Sequence, residues 1–239
     1  MIFLKVGANN IEKKMRYKKL DVSYDPVITG INNGGAQLEL KENKSFISKE
    51  EKNKFNKYID ENLNNRDRVF LKTFKSINEE QISSIKYYPT RKKIKRTDFI
   101  SYLPYELGLN YIISEKAYDI IKTYRIPLLL NKINIDIEGW ENDKFYLIGF
   151  PMIPDTEIDL EKSIFYDTQR NEKVKFKSYQ DYNEINFNLV ALNLFLLNKY
   201  HYDIINIQGK GMFFSEELIY ALKENNIIGF EIGEIILEN

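Results

Sequence analysis

The chain has no cysteine, and that absence removes disulfides, thiolate catalysis and zinc–sulfur sites together. It fits a reducing compartment. Histidine is almost as scarce. His201 is the only one, so a Ser–His–acid triad would have to use it, yet no nucleophile-elbow phrase occurs anywhere. One imidazole also falls far short of usual zinc ligation. Set between Tyr200 and Tyr202, it reads as a half-buried structural residue. An excess of one charge is missing too. Lys and Arg number 35 and Asp and Glu number 35, so no global field holds a polyanion, and nucleic-acid binding would need a local patch. No apolar run approaches the ~20 residues of a membrane-spanning helix. Residues 1–6 are too short, and lack the charged start, for a signal peptide; they read as a first strand. The expectation is a soluble, cytoplasmic protein.

What is present is ample for a core: 43% hydrophobic residues and 14% aromatic ones in 239 residues. One phrase occurs twice. Ile113-Ser114-Glu115-Lys116-Ala117 and Phe214-Ser215-Glu216-Glu217-Leu218 each join an apolar strand end to a Ser N-cap, an acidic first turn and an amphipathic helix. Each helix reaches an aliphatic stretch about a dozen residues later, at residues 125–129 and 226–230. The pair predicts a strand–Ser-capped helix–strand unit used twice. The fold class expected is α+β, with a mixed or largely antiparallel sheet and flanking helices.

The spacing places strands at 2–7, 15–22 and 36–40, the last after an Asn-Asn-Gly-Gly turn signal. Ser48 with Glu51 makes a capping box, with Ile47 as its staple, for a helix reaching about Asn64. A second short helix is predicted over 78–86. The run Arg91-Lys92-Lys93-Ile94-Lys95-Arg96 is the sharpest shift of composition; it divides a small N-terminal α+β unit, residues 1–90, from a larger unit, residues 97–239, unless the two pack as one domain. Strands are expected at 111–113, 128–130, 144–150, 163–166, 174–176, 202–207 and 212–214. The stretch 184–198 is apolar at nearly every phase, so periodicity does not separate helix from strand; its length favours a buried helix.

No catalytic constellation emerges, and neither cofactor nor metal site is expected. Asp155, Glu157, Asp159 and Glu161 alternate along one segment. Paired carboxylates can do acid–base work or bind hard cations, but the calcium-loop pattern is absent. A solvated edge with Ile158 and Leu160 turned inward accounts for them, as does an acidic surface meeting a basic partner. Gly209-Lys210-Gly211 lacks the rest of a phosphate-loop fingerprint and reads as a tight turn. Tyr87 and Tyr88 before the basic run mix bases with aromatics as nucleic-acid surfaces do; a solvated loop is the plainer reading. Trp140 reads as a hairpin anchor.

The order of phrases across residues 99–232 resembles the immunity proteins of bacterial polymorphic toxin systems, in the families numbered eleven and forty-three. The matching text is Ile112-Ile113-Ser114-Glu115, Phe145-Tyr146-Leu147-Ile148, Ile158-Asp159-Leu160-Glu161-Lys162-Ser163, and Phe213-Phe214-Ser215-Glu216 through Gly229-Phe230-Glu231. The resemblance implies a non-catalytic cytoplasmic antidote that binds a cognate toxin domain and blocks it. For such a role the candidate partner-binding residues are Asp155, Glu157, Asp159 and Glu161, with Tyr179, Asp181, Tyr182 and Glu184. The alternative function is a nucleic-acid-binding module built on residues 87–96.

Overall fold

Fifteen strands and five α-helices follow one another among residues 15–32, 34–185 and 188–238, which the computed structural model describes. The first third holds β1 (Arg16–Val22), α1 (Pro26–Thr29), β2 (Leu38–Leu40), α2 (Lys49–Asn64) and β3 (Ile85–Pro89). The middle holds β4 (Phe99–Ile100), β5 (Tyr102–Leu103), β6 (Tyr111–Ser114), α3 (Glu115–Ile121), β7 (Asn131–Ile137), β8 (Phe145–Gly149) and β9 (Met152–Ile153). The last part holds β10 (Ile164–Asp167), β11 (Glu172–Val174), α4 (Tyr179–Ile185), β12 (Leu189–Phe195), β13 (Ile204–Ile207), β14 (Gly211–Ser215), α5 (Glu216–Glu224) and β15 (Phe230–Glu238). They build two mixed sheets, β11-β10-β12-β15-β1-β14-β13-β9 and β4-β6-β8-β7-β3-β2-β5. The fold is α+β.

Strand alternation divides the apolar residues among three cores. In the seven-stranded sheet, Ile112 and Leu147 join a core under α2, with Phe55, Tyr58 and Ile59. Their neighbours Ile113 and Ile148 point the other way, into a core shared with both Ser-capped helices. The eight-stranded sheet contributes Leu20, Ile204 and Phe214 to that shared core. Its opposite face sends Tyr17, Ile205 and Phe213 into a third core beside Tyr182 of α4. The middle core therefore joins the two sheets, and Tyr111 fastens it by donating from its hydroxyl to the Leu20 carbonyl at 2.5 Å.

The repeated phrase proves to be a repeated unit. Ser114 Oγ accepts from the Ala117 amide at 3.1 Å, and Ser215 Oγ from the Leu218 amide at 3.2 Å. Each serine ends the second strand of an antiparallel pair: Phe99 faces Ile113 across β4–β6, and Ile204 faces Phe214 across β13–β14. After each helix the chain returns to the same sheet, parallel to the strand it left and one strand away. The intervening antiparallel strand is β8 in the first unit and β1 in the second.

Each unit also grips the other. Asp98, just before β4, donates its amide to the Ile228 carbonyl at 2.9 Å and accepts the Ile228 amide on Oδ2 at 2.9 Å. Asp203, just before β13, donates its amide to the Arg125 carbonyl at 2.6 Å and accepts the Arg125 amide on Oδ2 at 3.0 Å. The two aliphatic stretches after the helices are thus held by the opposite unit. Removing either cap should cost about 1 kcal/mol. Ser114→Ala should cost more than Ser215→Ala, because Ser114 Oγ also donates to Asp98 Oδ1 at 2.6 Å. Denaturant unfolding of the two variants checks the order.

Several expectations need correction. The expected division near residues 90–97 does not divide the sheets: β1 lies between β14 and β15, and β3 pairs with β7. The basic run is a loop from β3 to β4, two strands of one sheet. Where the spacing predicts a helix over 78–86, residues 78–84 form turns and 85–86 already belong to β3, because Asn78 Oδ1 takes the Glu80 amide and Ser83 bonds to Glu51. Ile82 and Ile85 are nonetheless fully buried. Leu128 and Leu129 are exposed, and the strand begins at the buried Asn131. Residues 184–198 contain the end of α4 and then strand β12, which pairs with β10 and β15. Ser48 caps α2 as expected, but Ile47 is exposed and forms no staple. The strand expected at 2–7 lies outside the described residues.

Candidate functional site

The acidic segment does not fold as an exposed strand. Residues 155–157 make a single turn of 3-10 helix, after which Ile158 bridges Leu196 and sinks into the third core. Asp159 is drawn in with it. Its carboxylate accepts the Lys162 amide at 3.2 Å and the Lys162 ammonium at 2.6 Å, and Lys162 holds its pKa below the ordinary value. Glu157 accepts from Asn198 Nδ2. Glu161 remains exposed, as do Asp181 and Glu184 on α4, where Asp181 closes a reciprocal turn with Ser178.

Asp155 meets the tyrosine-rich segment. Tyr179 donates its hydroxyl to Asp155 Oδ1 at 2.9 Å, and the Tyr179 ring lies 5.8 Å from that of buried Tyr182. A residue outside the expected set completes this corner. Lys210, from the β13–β14 turn, holds its ammonium 5.3 Å from the Tyr182 ring centre and 5.8 Å from that of Phe165. Burial lowers its pKa, while Asp155 opposes the shift. The sequence offers Lys210 only as the middle of a Gly-Lys-Gly turn, and glycines at φ 68° and 94° make that turn. Asp155, Tyr179 and Tyr182 are therefore assembled, whereas Asp159 turns inward to its own lysine. Much of the strip's negative charge is met within the chain.

The basic loop is more committed than its composition suggests. Arg96 pairs with Asp143 at 2.8 Å and lies over Trp140, the buried anchor of the β7–β8 turn, and Lys95 donates to the Val27 carbonyl. Tyr87 is buried edge-on against Tyr102 and offers no stacking face, and the Tyr88 ring carries Lys41 and Lys86. Arg91, Lys92 and Lys93 stay exposed. His201 is exposed rather than half-buried, since the chain turns outward there before β13.

A concavity lies where the two repeated units meet. It encloses about 410 Å³, and its lining includes Asp21, Tyr24, Tyr102, Tyr105, Tyr111 and Asn206. Tyr111 and Tyr102 are buried in its walls, while Tyr24, Leu103 and Tyr105 are 50%, 53% and 63% exposed at its edge. Asn110 and Asn206 brace the floor by holding the two sides of the Phe150 backbone, at 2.7 and 3.0 Å. Three of these tyrosines stand close in sequence, but Asp21 and Tyr24 arrive from β1. Only the pairing of β1 with the last strands brings them here.

Among the described residues, no group of three His, Cys, Asp or Glu side chains is placed to hold a metal ion, and no helix is long and apolar enough to cross a membrane. No protein-family model matches the chain, and no curated protein matches it.

Proposed function

We propose that the protein is a cytoplasmic immunity protein, which binds one cognate toxin domain and blocks it sterically without chemistry of its own. The observation that carries this reading is the tyrosine-lined cleft with Tyr24, Leu103 and Tyr105 exposed at its edge. Large aromatic side chains set around a concavity on paired strands are what a protein interface uses as anchors, because they bury much area with few torsions to freeze. The order of strand, Ser-capped helix and strand phrases, which resembles toxin-immunity families, supports the same reading. Exposed Glu161, Asp181 and Glu184 would add electrostatic steering toward a basic toxin domain.

The test uses a toxin domain encoded beside this chain's own gene. Its activity should fall linearly as this protein is added and vanish at one equivalent, with the complex isolable intact. Such an interface buries on the order of 1,600 Å² in total. Inhibition that continued to completion at strongly sub-stoichiometric amounts would show turnover and defeat the binding mechanism.

A further inference from the structure

The cleft's chemistry specifies what it would accept. Among the described residues that line it, Asp21 is the only formally charged one, and no Lys, Arg or His is among them. Four tyrosines share that lining, and Asp21 is close enough to raise the pKa of both Tyr105 and Tyr111, beyond the larger effect of burial. Elsewhere the chain covers aromatic rings with its own cations: Lys41 and Lys86 over Tyr88, Lys132 over Tyr118 and Tyr146, and Lys210 over Tyr182. Among the described residues, no cation lies over Tyr24, Tyr102, Tyr105 or Tyr111. Asp21 has one competing partner, Lys19 at 3.0 Å, in a pair whose carboxylate is half exposed; a contact of that kind is weak and exchangeable.

We infer that the cleft receives a cationic side chain, the guanidinium or ammonium of an Arg or Lys presented by the toxin domain, with Asp21 as its counter-ion and the tyrosine rings as its walls. A negative ring face and a fixed carboxylate both favour a cation, and their attraction strengthens as the entering side chain displaces water. This inference rests on the toxin-binding reading for its source of the side chain, but the recognition itself needs no toxin.

The probes are N-acetyl-arginine methylamide, its neutral isostere N-acetyl-citrulline methylamide, and N-acetyl-leucine methylamide, each titrated into the full chain and followed by the tyrosine side-chain resonances. The arginine probe should shift Tyr105 and Tyr111 saturably, with the citrulline and leucine probes about tenfold weaker or more. Asp21→Asn should reduce arginine-probe binding by about tenfold, and Tyr105→Ala should do likewise while unfolding as wild type does. Citrulline or leucine binding as well as arginine would overturn the inference and make the cleft an apolar pocket; so would saturable shifts located away from these tyrosines. A toxin domain held equally tightly by wild type and Asp21→Asn would also overturn it, while leaving the toxin reading intact. If the arginine probe binds the cleft but the neighbouring toxin domain is not bound, the cation site stands and the toxin reading fails.

Discussion

Alanine at position 149 should destabilise the protein by about 3 kcal/mol, or roughly 6–12 °C in Tm for a chain of this size. A Cβ there would stand 1.8 Å from the Gly108 carbonyl oxygen and 2.8 Å from its carbon. The obstacle is backbone, and it cannot retreat. The Gly108 carbonyl accepts from Asn131 Nδ2 at 2.6 Å, and Asn131 is fully buried directly across β7–β8 from Gly149. The same side chain donates to the Tyr58 hydroxyl at 2.6 Å and takes the Ile77 amide at 2.8 Å. Moving Gly108 aside would therefore leave several buried polar groups imperfectly paired, at about 1–3 kcal/mol each. Gly139→Ala is the control. That glycine has φ 82° but no neighbour within 4 Å, so only the left-handed strain of about 1–2 kcal/mol applies. Equal losses at 149 and 139 by chemical denaturation would mean that the close approach carries no weight.

Asp203→Ala should be the next most damaging change, at about 2–3 kcal/mol. The carboxylate is 3% exposed and accepts from both the Arg125 amide at 3.0 Å and Arg125 Nε at 3.2 Å. The Arg125 side chain is 58% exposed, so the ion pair is screened and the backbone-amide bond to the buried carboxylate carries most of the effect. Asp203→Asn should restore little, because Asp203 Oδ1 is buried with no partner among the described residues, and an NH₂ group there would be an unsatisfied donor. Asp98→Ala, at the equivalent joint, should cost less, since Asp98 is only half-buried. Urea unfolding of the three variants gives the ranking; an Asp98→Ala loss exceeding that of Asp203→Ala would contradict the burial argument.

Local signals in the sequence carried most of the elements. The caps at Ser48, Ser114 and Ser215 are contacts over three residues, and the apolar run at 144–150 after the Asn142-Asp143 turn needs only neighbours along the chain. What failed depended on distant partners. Leu128 and Leu129 look like a strand because they are aliphatic, yet pairing starts at Asn131, whose amide is consumed by Tyr58, Gly108 and Ile77. Residues 184–198 look too long and too apolar for a strand, yet they hold the end of α4 and then the seven-residue β12, paired with β10 and β15. The acidic segment shows the same limit in its chemistry. The spacing of Asp155, Glu157, Asp159 and Glu161 implies one face, but a 3-10 turn and the Leu196 bridge break that alternation. Lys210 meets α4 and β10 from the far β13–β14 turn, and the cleft draws on both sheets, so neither was legible from spacing at all.

The position of β1 has a consequence for how the chain is made. Both its neighbours, β14 and β15, lie within residues 211–238, so this strand is made long before the strands it pairs with. At about 5–20 residues per second, it waits on the order of ten seconds or longer. Throughout that interval Tyr17 and Leu20, which end fully buried, belong to an unpaired strand open to wrong pairing with other nascent chains. The seven-stranded sheet needs nothing beyond residue 149 and can assemble first. Synthesis thus divides into an early sheet and a late one that closes around its oldest strand. A brief pause in translation between residues 149 and 211 would give the first sheet time to form while prolonging the exposure of β1.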